Sequence, residues 1–142
     1  MIPEVTADAT FGKVELTIPS KAEWVAVARL AVAAVASRLR FSVDEIDDIK
    51  LAVAEACTSC IQHGSNADEL NLTCEVLSDN LRVTVRDRGA TLRLESVGDG
   101  GFGSDGADEL GVFLIRALMD TVAYHFDKRD GTELVMTKRV TQ

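Results

Sequence analysis

Two short segments in which every second residue is apolar constrain the fold of this chain more than any other feature. The alternation runs through residues 70–76 and 81–85, and Ser78, Asp79 and Asn80 between them are residue types typical of turns. Period-two alternation places the apolar side chains of a strand on one face and the polar ones on the other. The sequence therefore predicts a β-hairpin with one face packed on the core of the protein.

Strand patterns recur on both sides of this hairpin. Alternation predicts one strand before it, at residues 14–18, and two after it, at 122–126 and 134–137, with a turn at 128–131. Together with three helical segments, this gives the order β-α-α-β-β-loop-α-β-β. Strands that come in hairpins favour an α+β fold, here a two-layer sandwich in which helices cover one face of a mixed, mostly antiparallel sheet.

Apolar residues at helical spacing predict the three helices. They are expected at residues 21–39, 43–63 and 110–119. Ser20 is the expected N-cap of the first. The second has the clearest start, because Ser42 and Glu45 have the spacing of a capping box.

Composition and charge narrow the classes of function. The chain has 142 residues, of which 46% are hydrophobic and 27% charged, and we expect a single domain over residues 1–142 with its core at about 13–140. A formal net charge of −8 opposes nonspecific binding to nucleic acid. Because the sequence has neither a secretory signal nor an apolar run long enough to span a bilayer, we expect a cytoplasmic protein without a membrane partner.

The second predicted helix carries a polar ridge. Glu55, Ser59 and His63 follow one another at i, i+4 and i+8, so they lie along one side, which is either a solvent-exposed face or a binding site. A Ser–His hydrolase is disfavoured, because a serine in mid-helix usually bonds to its own turn. A zinc site is also disfavoured, because helical geometry points Cys57 and His63 apart. We expect Cys57 and Cys60 to pack in the core as reduced thiols.

Two further elements have the chemistry of a ligand site. Asp87 and Gly89 form an Asp-x-Gly sequence at a strand end, where a carboxylate can accept a hydrogen bond from an exocyclic amine and glycine allows close approach to a flat base. Six of the ten glycines lie between Gly98 and Gly111, in a loop without lysine or arginine that leads into a helix. The backbone N–H groups of such a loop can bind an anion, for which phosphate is the natural candidate.

Together these motifs resemble the nucleotide site of the GHKL ATP-binding fold (Bergerat fold), and most closely the anti-sigma factor serine kinases of the RsbW and SpoIIAB type. The first family motif, Glu-Ala-x-x-Asn-x-x-x-His, is similar to EACTSCIQH at 55–63, and the second, Asp-x-Gly, matches 87–89. A Leu-Gly-hydrophobic helix start matches 110–115, and a Gly-Thr opening the last strand matches 131–132. The resemblance covers roughly residues 14–139, and four motifs in the family's order are specific as a set.

The resemblance implies an ATP-binding anti-sigma factor that sequesters a sigma factor and phosphorylates a serine on an anti-anti-sigma (STAS-type) partner. It also implies ATP and Mg²⁺ as cofactors and a homodimer, formed through the first strand and its neighbours. Glu55 would be the catalytic general base, Asp87 and Thr132 would hold adenine, and the glycine-rich loop would close over the phosphates. The ATP-binding residues that the resemblance implies are Ser59, His63, Asp87, Gly89, Gly101, Gly103, Leu110, Gly111, Val112 and Thr132.

The sequence departs from the family pattern at Ser59. The family has Asn at this position, which coordinates Mg²⁺, and the serine hydroxyl is shorter, although Mg²⁺ requires near-octahedral oxygen ligands. The glycine-rich loop also carries acidic residues and no cation that could clamp phosphates. A second hypothesis therefore stays open, a catalytically weak or inactive protein-binding module of the same fold in the same partner-switching pathway.

Overall fold

The computed structural model describes residues 11–63, 68–87, 106–127 and 131–141. The elements within them follow the predicted order. They are β1 (Gly12–Pro19), a 3-10 turn (Ala22–Trp24), α1 (Val25–Ala36), α2 (Val43–His63), β2 (Glu69–Val76), β3 (Asn80–Asp87), α3 (Gly106–Leu118), β4 (Thr121–Asp127) and β5 (Gly131–Arg139).

The five described strands form one sheet in the order β1-β2-β3-β5-β4, and each neighbouring pair is antiparallel. The predicted hairpin is confirmed as β2 and β3, with Leu72 opposite Val85. Its turn is closed by the Leu77 N–H, which donates to the Asn80 carbonyl at 2.9 Å. Asp87, the last residue of β3, lies opposite Thr132 of β5.

One face of the sheet is covered by helices and the other is polar. Leu72, Val83 and Leu134 belong to the buried rows, and α2 packs over β3 and β5 while α1 packs over β2 and against α2. On the opposite face, cross-strand ion pairs such as Arg82 with Glu75 at 2.9 Å hold neighbouring strands together. The predicted α+β two-layer sandwich is therefore confirmed.

Helices α2 and α3 run in opposite directions. The capping box at the start of α2 forms as predicted: the Ser42 N–H donates to Glu45 Oε1 at 2.8 Å, and the Glu45 N–H donates to Ser42 Oγ at 3.0 Å. The Thr141 hydroxyl donates to Glu45 Oε2 at 2.9 Å, which places this start beside the end of β5. Helix α3 ends at the same place, because Lys138 Nζ donates to the Leu118 carbonyl at 2.7 Å. We call this side of the molecule the anchor end.

The other termini of the same elements lie on the opposite side of the molecule. Helix α2 ends there at His63. The next strand, β2, begins there too, and its second residue, Leu70, is paired to Asp87. The start of β5 lies there too, because Thr132 pairs with Asp87. We call this side the site end.

Two helix starts differ from the prediction. Ser20 is not an N-cap, because its N–H donates to the Asp68 carbonyl at 2.9 Å and the helix opens with a 3-10 turn that has no side-chain cap. Helix α3 begins at Gly106, whereas its glycine-rich sequence favoured a loop up to Leu110. Ala107 and Glu109 favour a helix, so α3 extends beyond the apolar spacing from which its start was predicted. Within the described residues, no helix combines the length and apolar character needed to cross a membrane.

Candidate functional site

The polar ridge of α2 lies at the edge of the core. Glu55 is half-buried and Ser59 is only 8% exposed. Ala56, which follows Glu55, is fully buried, and Cys60, which follows Ser59, is almost fully buried. A solvent-exposed face would leave Ser59 accessible, so that interpretation of the ridge is wrong for this position. His63 ends the helix, and its side chain lies outside the described residues.

A carboxylate and a hydroxyl lie side by side at the site end of the sheet. Asp87 is 0% exposed and Thr132 is buried, and the two are directly opposed on β3 and β5. Each continues the row of buried residues of its strand, so both side chains point to the helix-covered face. Because burying a carboxylate costs free energy, such residues are concentrated at functional sites and in ion-pair networks.

The third component is the contact between α2 and α3. A Cβ atom added to Gly111 would lie 3.8 Å from Glu55 Oε2, so the backbone of α3 passes next to this carboxylate. Alanine would fit there in ordinary van der Waals contact, but a larger side chain would displace the carboxylate. Val112, the next residue, is half-buried. The sequence named Glu55 and Gly111 but could not predict that they touch.

The structure thus brings part of the predicted site together. The predicted site residues that are fully described lie on elements that end at the site end or pass beside it. These residues are Glu55, Ser59, Asp87, Gly111, Val112 and Thr132. Gly89, Gly101 and Gly103 lie outside the described residues. Leu110 lies within α3, and its side chain is also outside them.

The cysteines beneath the ridge are part of the core. Burial, and secondarily the nearby Cys74, raises the pKa of the Cys57 thiol to about 12, and burial raises the pKa of Cys74 to about 11. Cys60 is also buried, and none of the three described cysteines forms a disulfide. The prediction that Cys57 and Cys60 pack in the core is confirmed.

A separate cavity of about 520 Å³ lies at the anchor end. Asn80, Arg82, Thr137 and Arg139 line it, and they come from the polar face of the sheet. None of the predicted site residues that the structure describes borders it, so it is separate from that part of the candidate site.

Comparison with known proteins identifies the family. Residues 18–138 match the histidine kinase-like ATPase domain. The chain belongs to this family. Its α+β fold and the order of its motifs are those expected of such an ATPase domain.

Relatives of this ATPase domain name the activity. The chain is 36% identical over 141 residues to the serine-protein kinase RsbW of Listeria innocua, covering 92% of this chain and 88% of the relative. It is 34% identical over 140 residues to the RsbW of Bacillus mycoides, covering 92% of this chain and 86% of the relative. The predicted resemblance to RsbW-type serine kinases is confirmed.

A solved structure supports the fold of the ATPase domain independently. The RsbU and RsbW domains of a Mycobacterium tuberculosis protein superimpose with a TM-score of 0.68 and 17% identity, covering 90% of this chain and 32% of that chain. At this identity the likeness concerns the fold alone.

Proposed function

We propose that this chain is an ATP-dependent serine kinase and anti-sigma factor: it sequesters a sigma factor and phosphorylates a serine of an anti-anti-sigma (STAS-type) protein. The observation that carries the proposal is the buried Asp87–Thr132 pair at the end of the sheet toward which the Glu55-bearing helix runs. Membership of the histidine kinase-like ATPase family and the serine-kinase relatives support it.

In this proposal the Asp87–Thr132 pair recognises adenine. The Asp87 carboxylate accepts a hydrogen bond from the exocyclic amine, and the Thr132 hydroxyl donates to or accepts from the ring edge. Because both groups are shielded from water, each hydrogen bond discriminates strongly against a base that lacks the matching group. Gly89, after the strand, leaves room for the base.

Glu55 is the proposed general base. The serine Oγ of the partner attacks the γ-phosphorus, the bond between this phosphorus and the bridging oxygen of ADP breaks, and the hydroxyl proton passes to the Glu55 carboxylate. Gly111 keeps the neighbouring backbone close to this carboxylate without a side chain in its way. Serine phosphate and ADP are the products.

The remaining proposed ligands surround the phosphates. Gly101 and Gly103 belong to the loop that would close over them, and Leu110, Gly111 and Val112 belong to α3, which follows that loop. Backbone N–H groups of the loop and of the first turn of α3 can contact phosphate oxygens without adding charge. Because α3 begins at Gly106, the N–H groups of Leu110, Gly111 and Val112 bond within the helix, and these residues would line the site instead. His63, at the end of α2, completes the proposed set.

We propose Mg²⁺ as the accompanying ion, held through Ser59. The donor chemistry fits, because Mg²⁺ at nucleotide sites is bound by one or two side chains together with phosphate oxygens and water. A serine or threonine hydroxyl fills such a position in P-loop proteins. The ion would supply positive charge to the phosphates.

The second candidate function is a catalytically weak or inactive protein-binding module in the same partner-switching pathway. Ser59 favours it, because the hydroxyl on this buried turn has a shorter reach than the amide of the family's Asn. Both functions keep the same fold, and they differ in whether phosphate is transferred.

We further propose that the chain is a single cytoplasmic domain that forms a homodimer and has no nucleic acid or membrane partner. Its interface would include β1 and its neighbours, because β1 is an edge strand and large apolar side chains are exposed around it. These side chains are Phe11, Val14, Trp24, Val27 and Leu30. Analytical ultracentrifugation of the wild type and Trp24→Ser tests the dimer, which the substitution should weaken.

The kinase proposal is tested by titrating ATP calorimetrically with and without Mg²⁺, and then following labelled γ-phosphate into STAS-type proteins. Tight binding with Mg²⁺ and transfer to serine are expected. Binding without transfer favours a nucleotide-gated form of the second function, and no binding at millimolar ATP rejects the kinase.

A further inference from the structure

Three large apolar side chains are exposed on the outer side of α2 and α3. Leu51 on α2 is 55% exposed, and Phe113 and Leu114 on α3 are 66% and 39% exposed. We call these three residues the outer patch. They are not needed for the core, because their neighbours Ala52 and Ile115 fill it and are fully buried.

The outer patch adjoins the Glu55–Gly111 contact. Leu51 precedes Glu55 by one helical turn, and Leu114 follows Gly111 by nearly one turn. Because α2 and α3 are antiparallel, both steps lead away from the contact in the same direction, by about 5 Å. The outer patch therefore begins roughly one turn from the carboxylate that the proposed kinase uses as its base.

A protein substrate must cover the surface around Glu55, including the outer patch. Its serine hydroxyl has to approach the Glu55 carboxylate to within hydrogen-bond reach, about 2.6–3.2 Å. Specific protein–protein contacts bury about 800 Å² on each partner, which extends well beyond one helical turn in every direction. Exposed aromatic and aliphatic side chains beside such a point are the usual anchors of an interface.

The charges around the outer patch specify the partner further. Asp44 and Asp47, both exposed, lie on the same side of α2 farther from Glu55. Lys50 pairs with Asp47 at 3.9 Å, but the two carboxylates outnumber this cation, and the formal net charge of the chain is −8. A partner with an apolar centre and basic residues on the side facing α2 would match this surface.

We propose that Leu51, Phe113 and Leu114 form the docking surface for the protein that carries the target serine, and that this partner contacts them with an apolar patch bordered by basic residues. The inference rests on the proposed kinase function and adds the surface that recognises the substrate. It assigns these residues to binding of the protein substrate and not to binding of ATP.

A kinetic experiment separates docking from catalysis. The probe is a STAS-type protein from the same organism that the wild-type chain phosphorylates. Phe113→Ala and Leu51→Ala should each raise the KM for this protein about tenfold, with kcat and ATP affinity changed less than about twofold. Phe113→Leu should restore most of the loss. Val43→Ala is the matched control, because Val43 is a 76% exposed apolar residue of the same helix about 12 Å from Leu51, and its KM should stay at the wild-type value.

A labelling experiment observes the surface directly. The three native cysteines are buried, so a cysteine introduced at an exposed position is the reactive thiol of the chain. Maleimide labelling of Phe113→Cys and Leu51→Cys should slow at least about tenfold when the same STAS-type protein and a non-hydrolysable ATP analogue are added. Labelling of Val43→Cys should change by less than about twofold.

The outcomes distinguish this inference from the function on which it rests. If the wild type phosphorylates no STAS-type protein, the kinase proposal fails and the docking surface fails with it. If phosphorylation occurs but neither the KM nor the labelling changes, the docking surface is wrong and the kinase stands. Labelling that slows with the concentration of the chain alone would assign the outer patch to a second copy, and protection by the sigma factor alone would assign it to that partner. Either result overturns the inference.

Discussion

The two ends of the sandwich use polar residues in opposite ways. At the anchor end, Ser42, Glu45, Thr141 and Lys138 are joined to one another or to backbone groups by hydrogen bonds of 2.7–3.0 Å near the surface. At the site end, Ser59, Asp87 and Thr132 are buried under the helices. One end holds the elements of the fold together, and the other carries the buried polar groups to which we assign ATP binding.

Helix α2 has a different role at each of its two ends. The first turns of α2 are fixed by contacts that any stable helix could use, whereas its last turns carry side chains of the proposed ATP site. Substitutions at the site end should therefore change activity more than stability, and matched substitutions at the anchor end should do the reverse.

The largest expected effect is that of Glu55→Gln. The amide keeps the volume and removes the proton acceptor, so phosphate transfer should fall by about 10²–10⁴-fold while ATP affinity stays within about twofold. Transfer of labelled γ-phosphate and calorimetry measure the two quantities.

Glu45→Gln is the control for this prediction, because it makes the same chemical change on the same helix at the anchor end. It should lower stability and leave the rate of transfer intact. Transfer that persists in Glu55→Gln would remove Glu55 from the proposed mechanism.

Asp87→Asn should have the next largest effect. Replacing the buried carboxylate weakens its hydrogen bond to the adenine amine, and ATP affinity should fall by about 10–100-fold. Calorimetry with ATP measures the loss. Asp79→Asn is the control at the anchor end of the same hairpin, where the exposed carboxylate lies 3.8 Å from Arg139, and its ATP affinity should equal that of the wild type. Equal affinities for all three proteins would place adenine elsewhere.

Ser59→Asn should produce a smaller gain. The amide reaches farther than the hydroxyl, so Mg²⁺-dependent ATP binding should tighten a few-fold, by about 0.5–1 kcal/mol, and transfer should accelerate. Titrations with and without Mg²⁺ isolate the contribution of the ion, because binding without Mg²⁺ should not change. An unchanged Mg²⁺ dependence would show that Ser59 is not a ligand.

The smallest effect concerns the anchor end alone. Ser42→Ala removes one half of the capping box and should lower the free energy of unfolding by about 1 kcal/mol, measured by urea denaturation, without changing ATP affinity. A loss of ATP affinity in this variant would contradict the separation of the two ends.

The contribution of Glu45 should also depend on pH. The Ser42 backbone N–H, the Thr141 hydroxyl and the Ser42 side chain hold the pKa of the Glu45 carboxyl below its usual value. Since the folded state favours the carboxylate, this stabilisation is present above the ordinary carboxyl pKa and disappears as the pH falls through the lowered value. The stability difference between the wild type and Glu45→Gln should therefore shrink in acid.

Local patterns in the sequence predicted the anchor end and the strands well. The capping box located the start of α2 at Val43, because each of its hydrogen bonds joins residues three positions apart. The β2–β3 hairpin was likewise predictable, since alternation fixes both its faces and its register.

Features that depend on packing between distant parts of the chain could not be predicted from local sequence patterns. The contact between Gly111 and Glu55 depends on how α3 lies against α2, which no local pattern specifies. The motifs indicated that Asp87 belongs to a site, but its complete burial depends on the packing of the whole fold and was not predictable from them.

The pairing of β1 has a consequence for the order in which the chain folds during synthesis. β1 is made first, yet its neighbour is β2, which follows only after α1 and α2. At 5–20 residues per second, a ribosome needs roughly 3–10 s to make the intervening segment, far longer than a hairpin such as β2–β3 needs to form. The first strand therefore has no partner strand until the β2–β3 hairpin has formed, and its pairing with β2 is a late event in folding.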